Sequence, residues 1–478
     1  MKALLRFPPS RLLFPCLLAL LASGAAPAAV SNSADPDHLI VLSTTDVKGK
    51  TSPCGCHTPK GGFARRAAYF DSVRTEHGQI LIVDAGGYFP EVEMQKDSGP
   101  YVLKLMKQLG TDAAGVGDRD LRFGFAFLRE NARSAGMPLV CANLYEKPGG
   151  KLAFPATMLR KVGRVTVGVF GVISDKADLG PARDSLRVED PLAAAARAVA
   201  DLRKRGATVV VMLSSLGKVE GEDLAAAVEG IDEVILGRDV TLIEKGRRIK
   251  NTLACYGGEQ GWYVGFSTLT LDAKNGVASS QCEMSILGPE VPTDAKVLAS
   301  VKLFEDGLND RLRMQEKDAA IRQHLTVEGE AEDQPDHYIG ADFCARCHAP
   351  EYAQWKSTPH SRAWATLVEQ KKDATPECLR CHVVGYLKPG GFRSGEDAAK
   401  LSNVQCENCH GMGTSHEAMS AQPAVVAELT CRGCHDGVAS PPFDFATYRP
   451  HILHTPPADL KPLPESPAKK LMRMQGKR

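Results

Sequence analysis

Two things are scarce in this chain of 478 residues: charge of one sign and long apolar runs. Lys and Arg number 58 against 57 Asp and Glu, a formal net charge of +1, so no basic excess calls for nucleic acid as a partner. Beyond the N-terminus no apolar run reaches the roughly 18 residues a spanning helix needs, so the mature chain is expected not to cross a membrane. The one apolar stretch near the start, Leu12 to Ala22, is too short to span. Lys2, Arg6 and Arg11 precede it, and Ala26-Pro27-Ala28 follows as a small-x-small cleavage site. Residues 1–28 therefore read as a signal peptide that is removed on export. Cys16 lies inside the apolar stretch after Pro15, which argues against a lipid anchor there. Apolar residues make up an ordinary 43%, and the length predicts two or more domains.

What the chain has in abundance is one short pattern. Cys344-Ala-Arg-Cys347-His348, Cys378-Leu-Arg-Cys381-His382, Cys406-Glu-Asn-Cys409-His410 and Cys431-Arg-Gly-Cys434-His435 repeat within a hundred residues. C-x-x-C-H is the attachment signature of c-type haem: two thiols add to the vinyl groups and the next His ligates the iron. Zinc motifs do not demand His after every second Cys. Four covalently bound haem c groups are therefore expected, with one-electron transfer as their chemistry. Covalent attachment is extracytoplasmic, which agrees with a periplasmic or secreted location. So little polypeptide per haem leaves the cofactors themselves to fill the interior. Sixth ligands must come from His337, His360, His416, His451 or His454. His360, in Trp355-Lys-Ser-Thr-Pro-His360, and His416, in Gly411-Met-Gly-Thr-Ser-His416, lead. His454 stands ahead of His451.

Tyr338-Ile-Gly, the Trp355…His360 segment, Cys378-Leu-Arg-Cys381-His382-Val-Val-Gly385 and Gln405-Cys406-Glu-Asn-Cys409-His410-Gly411 resemble the tetrahaem cytochrome that accepts electrons from hydroxylamine oxidoreductase. The resemblance covers about a quarter of the chain. It implies a compact, mostly bis-His stack with room for one five-coordinate haem, and redox partner proteins, other multihaem cytochromes among them.

From His38 to about Leu287 apolar runs alternate with helical patterns. Strands are expected at 39–42, 80–83, 113–116, 138–141, 165–172, 208–213 and 233–236. Helices are expected at 63–77, 101–109, 123–134 and 191–204. The later runs 248–255, 262–271 and 280–287 read as antiparallel strands finishing a second sheet. This is an α/β layer pattern. Residues 294–325 form one long helix by their three- and four-residue apolar spacing. The expected layout is a signal at 1–28, an α/β domain at 37–288, and a helix with an acidic hinge at 289–337. A small, mostly helical or irregular tetrahaem domain at 338–455 and a basic Pro-rich tail at 456–478 complete it.

The α/β part resembles calcineurin-like metallophosphatases of the 5′-nucleotidase and thiosulfohydrolase branch. The resemblance rests on Asp46-Val-Lys48, Asp84-Ala-Gly86-Gly87, Gly117-Asp118-Arg119-Asp120, Cys141-Ala-Asn143, Leu213-Ser-Ser215 and Gly237-Arg238-Asp239-Val240. It implies a four-layer sandwich with the site at the strand ends, and two metals activating a water. The motif ligands are largely replaced. Asp46 stays, but Lys48 stands for His, Gly87 for the bridging Asp, and Asp118-Arg119 for Asn-His. Ser215 stands for a His, and Arg238 and Val240 for the last His pair. Lys and Arg are cations and repel metal.

Pro53-Cys54-Gly55-Cys56-His57 in the first loop leaves three readings open. It is one thiophilic metal ion held by Cys54, Cys56, His57 and Asp46, a redox dithiol with Cys54 and Cys56 as catalytic residues, or a plain disulfide or buried thiols. Gly61-Gly62 with Arg65-Arg66 reads as an anion cradle or a solvated helix face. Cys141, Cys255 and Cys282 read as core thiols, with a bridge between any two left open. The expected function is periplasmic electron transfer beside a degenerate phosphatase-like domain. The alternative is a nucleotidase-like or thiosulfohydrolase-like hydrolase carrying a cytochrome.

Overall fold

The computed structural model describes residues 37–54, 59–327, 337–388, 390–414, 426–435 and 443–462, with side chains of 316–327 excepted. The expected signal peptide, Cys56, His57, His416, residues 328–336 of the expected hinge and most of the tail lie outside the described residues.

The elements in order are β1 (His38–Thr44), α1 (Phe63–His77), β2 (Leu81–Asp84), α2 (Ser98–Gln108), β3 (Ala113–Ala114), α3 (Phe125–Ala135), β4 (Leu144–Glu146), β5 (Thr157–Val162), β6 (Val165–Ile173) and β7 (Leu186–Val188). Then follow α4 (Pro191–Lys204), β8 (Val209–Ser215), α5 (Lys218–Ala227), β9 (Glu233–Leu236), β10 (Arg247–Ile249), β11 (Thr252–Tyr256), β12 (Tyr263–Leu271), β13 (Val277–Ile286) and α6 (Ala295–Val327). Two large sheets result, ordered β13-β12-β1-β2-β3 and β10-β11-β9-β8-β6-β5, with β4 and β7 pairing as a small third.

The period of two along each strand divides its side chains between layers. Ile40, Leu42 and Ile82 face α1, α2 and α3, whereas Leu39, Val41, Leu81 and Val83 face the other sheet. In β8, Val210 and Met212 pack under α4 and α5, while Val209, Val211 and Leu213 point between the sheets. Helix, sheet, sheet, helix is the four-layer sandwich. Each fully buried Val or Leu contributes about 1.5–3 kcal/mol. Helix α4 starts where expected because Asp190 caps Leu192 and Ala193 and Pro191 takes the first turn.

Three expectations change. Residues 138–141 make an isolated bridge between Leu139 and Ala114 rather than a strand. Residues 248–255 split into the hairpin β10–β11, since Lys250 turns at φ 51°. The antiparallel pair β12–β13 joins the first sheet beside β1, not the second. Sheet membership depends on long-range pairing, which local pattern does not carry. Cys255 of β11 and Cys282 of β13 form a disulfide that joins the two sheets, with Cα atoms 6.0 Å apart. Cys141 is a buried free thiol.

The C-terminal part consists of short helices, among them Ala341–Cys344, Ala349–Ser357, Ala363–Glu369, Pro376–His382 and Cys406–His410. Its apolar cluster is small: Tyr338, Leu367, Leu379, Val383, Val384, Phe392 and Leu401. It gathers around the second Cys-x-x-Cys-His motif.

Candidate functional sites: the histidine pairs and the strand-end rim

Motif histidines meet distant histidines. The rings of His410 and His454 lie 6.1 Å apart between centroids and only 20° from parallel. His360 and His435 lie 6.3 Å apart. Two metal–imidazole bonds of about 2 Å each, plus the ring half-widths, would allow the two rings of either pair to hold one iron between them. Between them opens a cavity of about 290 Å³ lined by Trp355, His360, Cys406, Cys409, His410 and His454. Burial first, then His435, lowers the pKa of His360; burial, then His454 and His348, lowers that of His410. Both shifts favour the neutral ring, the form that ligates iron. These residues fit haem.

The surrounding chain sets the ring positions. Trp355 donates its indole N–H to Val404 O at 2.7 Å, and Val404 N donates to His360 O at 3.2 Å, joining the His360 segment to the run before the third motif. His382 Nδ1 lies 2.6 Å from Ala363 O; as a donor there it leaves Nε2 for metal. Glu407, inside the third motif and buried, accepts from Ile339 N, Gly340 N and Gly413 N. His348 sits at the start of Ala349–Ser357.

The second site lies at the C-terminal ends of the parallel strands β1, β2, β8 and β9, where open α/β sheets place their ligands. Asp46 is 3% exposed, and burial pushes its carboxyl up to about 7. Its Oδ2 accepts from Thr45 Oγ1 at 2.9 Å and from Arg238 N at 3.0 Å. Lys48 Nζ pairs with Asp239 at 2.5 Å and Glu259 at 3.0 Å. Burial opposes that ammonium, but the two carboxylates outweigh it and its pKa is raised. Arg238 Nε donates to Asp118 Oδ2 at 3.1 Å. Arg119 reaches Glu91 at 2.5 Å and Asp239 at 3.6 Å. Asp120 clamps the loops, accepting from Gly87 N, Tyr88 N and Gly117 N at 2.8 Å each. At Gly87, with φ +78°, a Cβ would meet Asp46 Oδ1 at 2.5 Å. Asp46, Lys48, Arg238 and Asp239 all adopt positive φ, so backbone strain concentrates here.

Cys54 is disulfide-bonded, a state that offers no thiolate to a metal. Its Sγ accepts from Lys60 N at 3.3 Å. Cys56 and His57, the other members of the expected cluster, lie outside the described residues, as does His416. Arg65 donates to Pro59 O and Leu287 O, and Arg66 is fully buried with its guanidinium over the Phe63 ring. Neither is a solvated helix face.

Sequence reasoning passed over Asp239, Glu259 and Glu91, the carboxylates that answer the three cations. Asp239 was visible between two replaced ligands; Glu259 and Glu91 carried no local signal. It also passed over Lys50 and Glu377, which pair at 2.9 Å between the strand-end rim and the second motif.

Comparison with known proteins gives two separate likenesses. Residues 343–411 match the family described as cytochrome c554 and c-prime. Cytochrome c-554 of Nitrosomonas europaea is 32% identical over 91 residues, 16% of this chain and 39% of that protein. The fourth motif lies beyond the matched residues. The N-terminal part is similar to the snake venom 5′-nucleotidase of Gloydius brevicauda, 26% identical over 337 residues, 62% of this chain and 56% of that protein. The chain thus spans about half the length of the curated nucleotidases it matches. The Thermus thermophilus sulfate thiohydrolase SoxB shares the fold, with a TM-score of 0.51 at 18% identity over 55% of this chain and 60% of that one. The chain therefore joins a part resembling cytochrome c554, which implies covalently bound haem c and redox partners, to an α/β sandwich resembling the 5′-nucleotidases.

Proposed function

We propose that this chain is a periplasmic or secreted electron-transfer protein, exported by its signal segment. Four haems are covalently held at Cys344/Cys347, Cys378/Cys381, Cys406/Cys409 and Cys431/Cys434. His348, His382, His410 and His435 are their proximal ligands. His454 would hold the same iron as His410, His360 the same iron as His435, and His416 would be a further ligand. The haems supply a one-electron iron couple. The observation that carries the reading is the fourfold motif with two of its histidines facing outside histidines at 6.1 and 6.3 Å. Haem staining after denaturation and an iron count test it. Four irons per chain are expected; no covalent haem, or far fewer irons, overturns it.

The N-terminal domain, on this reading, is a degenerate metallophosphatase-like unit that recognises a ligand or redox partner. Lys48, Arg119 and Arg238 occupy the carboxylates Asp239, Glu259, Glu91 and Asp118, so the residues present do not fit a two-metal centre. Internal cations stand where metal charge is otherwise supplied. Nor does the rim suit a phosphate ester, since each of these cations is already paired with carboxylate.

The similarity to nucleotidases favours hydrolysis as a second reading. Metal analysis with a phosphatase assay separates the two. Two bound Mn or Zn with turnover supports hydrolysis; no stoichiometric metal and no turnover supports electron transfer. On the electron-transfer reading the same domain also does redox work at the Cys54 disulfide. It predicts that Cys54→Ser abolishes substrate-driven haem reduction while the haem spectrum stays intact.

A further inference from the structure

We infer that Glu407 sets the haems of the first and third motifs at the low-potential end of the four, by clasping those two motifs together around one buried negative charge. This rests on the electron-transfer reading above and adds what distinguishes one haem from another.

Glu407 lies inside the third motif, between Cys406 and Cys409, and is 5% exposed. Among the described residues of the C-terminal part it is the one charged side chain so deeply buried. Its Oε1 accepts from Ile339 N at 3.0 Å and Gly413 N at 2.8 Å, and its Oε2 from Gly340 N at 2.9 Å. All three partners are N–H donors. A neutral carboxyl would find no acceptor for its own proton among them, so the site suits the ionised carboxylate. These amides are its only hydrogen-bond partners among the described residues. Backbone dipoles hold the charge, and no cation cancels it.

The clasp reaches across two motifs. Ile339 and Gly340 lead into the helix Ala341–Cys344, which ends on the first thiol of the first motif. Gln405, just ahead of the third motif, takes the next amide: its Oε1 accepts from Ala341 N at 2.6 Å. Its Nε2 donates to Ser402 O at 2.6 Å and so fixes the side chain. Three successive amides before Cys344 thus end on Glu407 and Gln405. Cys344 and Cys406 are brought into side-chain contact, and the Glu407 charge acts on both. Those two sulfurs are haem anchors on the reading above. Reduction adds an electron to ferric iron, so a nearby negative charge opposes it and lowers the potential. Burial keeps salt and water from screening the effect.

The second and fourth motifs stand in a mixed field. The second follows the seam with the N-terminal part, where Arg313 of α6 holds Asp373 at 2.6 Å and Lys50 holds Glu377 at 2.9 Å. Lys372, Glu377 and Lys50 all act on Cys378. Cys431 feels both Glu428 and Arg449, and Cys434 feels Arg380. A cation offsets the carboxylate at these motifs, and none offsets Glu407.

Potentiometric titration of the full haem-loaded chain, with dithionite as reductant and ferricyanide as oxidant, reads the four one-electron steps. Glu407→Gln keeps the side-chain shape and removes the charge. Two of the four steps are expected to rise. Each rise should be at least a tenfold change in the ferrous-to-ferric ratio at fixed potential, about 59 mV for one electron. Gln405→Ala loosens the same clasp with no change of charge. It should melt earlier and leave all four steps in place. Fewer than two rising steps in Glu407→Gln, or an equal rise of all four, overturns the inference. So does the same rise in Gln405→Ala, which would make the role purely structural. If Glu407→Gln loads fewer than four haems, His454→Met decides. His454 faces His410 of the third motif, so the new thioether must move one of the two lowest steps. Movement of one of the two highest overturns the inference. A purified chain without covalent haem would instead remove the electron-transfer reading itself.

Discussion

Raising the pH should loosen the two-sheet domain, and Glu233→Gln should remove much of that sensitivity. Glu233 sits in β9, fully buried between the sheets. One carboxyl oxygen accepts from Ser267 Oγ at 2.5 Å; the other has no hydrogen-bond partner. Burial pushes its pKa from 4.5 to about 7, only partly offset by Ser267. In the unfolded chain the same group titrates near 4.5. Between these values the native state keeps a proton that the unfolded state releases, so stability falls as pH rises. The contribution is full below about 4.5, is lost through the window, and is flat above about 7. Each pH unit is worth about 1.4 kcal/mol, so the loss is about 3 kcal/mol. Glutamine keeps the neutral shape and an acceptor for Ser267. Wild type and variant should match at pH 4 and separate at pH 8, where the variant is more stable by up to about 3 kcal/mol. Urea unfolding of the haem-loaded chain, followed by Trp262 emission, reads this. Equal pH slopes in the two proteins would refute the assignment of a buried, protonated Glu233. Asp46, Asp84 and Asp120 are shifted the same way by burial, so part of the wild-type slope should survive.

Other outcomes follow from the same geometry. Gly87→Asp, which restores the missing ligand type, should create no metal site. Crowded against Asp46 at positive φ, it should cost about 1–3 kcal/mol in thermal unfolding. Asp373→Asn should weaken the seam to α6 by about 1–2 kcal/mol, because Arg313 is half in solvent and keeps part of its hydration. Loosening should be read as earlier melting of the haem module. His454→Met should keep the covalent haem at the third motif but raise the potential of one of its one-electron steps, since thioether ligation favours ferrous iron. A redox titration with all steps unmoved would remove His454 from the ligand set.

The four Cys-x-x-Cys-His motifs were legible because the pattern is local: two thiols and an imidazole at fixed spacing need no distant partner, and residues 343–411 match the cytochrome c554 and c-prime family. Helix α1 and helix α4 were legible for a similar reason, since their bounds are written in glycine, proline and capping residues nearby. The α/β class followed from alternation, and the four-layer arrangement from the resemblance to metallophosphatases that the motifs along the strand ends carry. Lys48, Arg119 and Arg238, read from the resemblance as standing where metal ligands are expected, were also visible as a change of residue type.

What those cations do was decided by tertiary structure. Arg238 finds Asp118 across 120 residues and Asp46 across 192, and Lys48 finds Glu259 across 211. No window of sequence holds such pairs. The same applies to β12 and β13, whose alternation fits either sheet until β1 takes one edge of the register. His360 lies nearer in sequence to the first two motifs, yet its ring faces His435 of the fourth. Covalent spacing is local chemistry and can be read along the chain. Ion pairs, sheet edges and axial partners depend on which surfaces the folded backbone brings within a few ångströms, and only the packed molecule determines that.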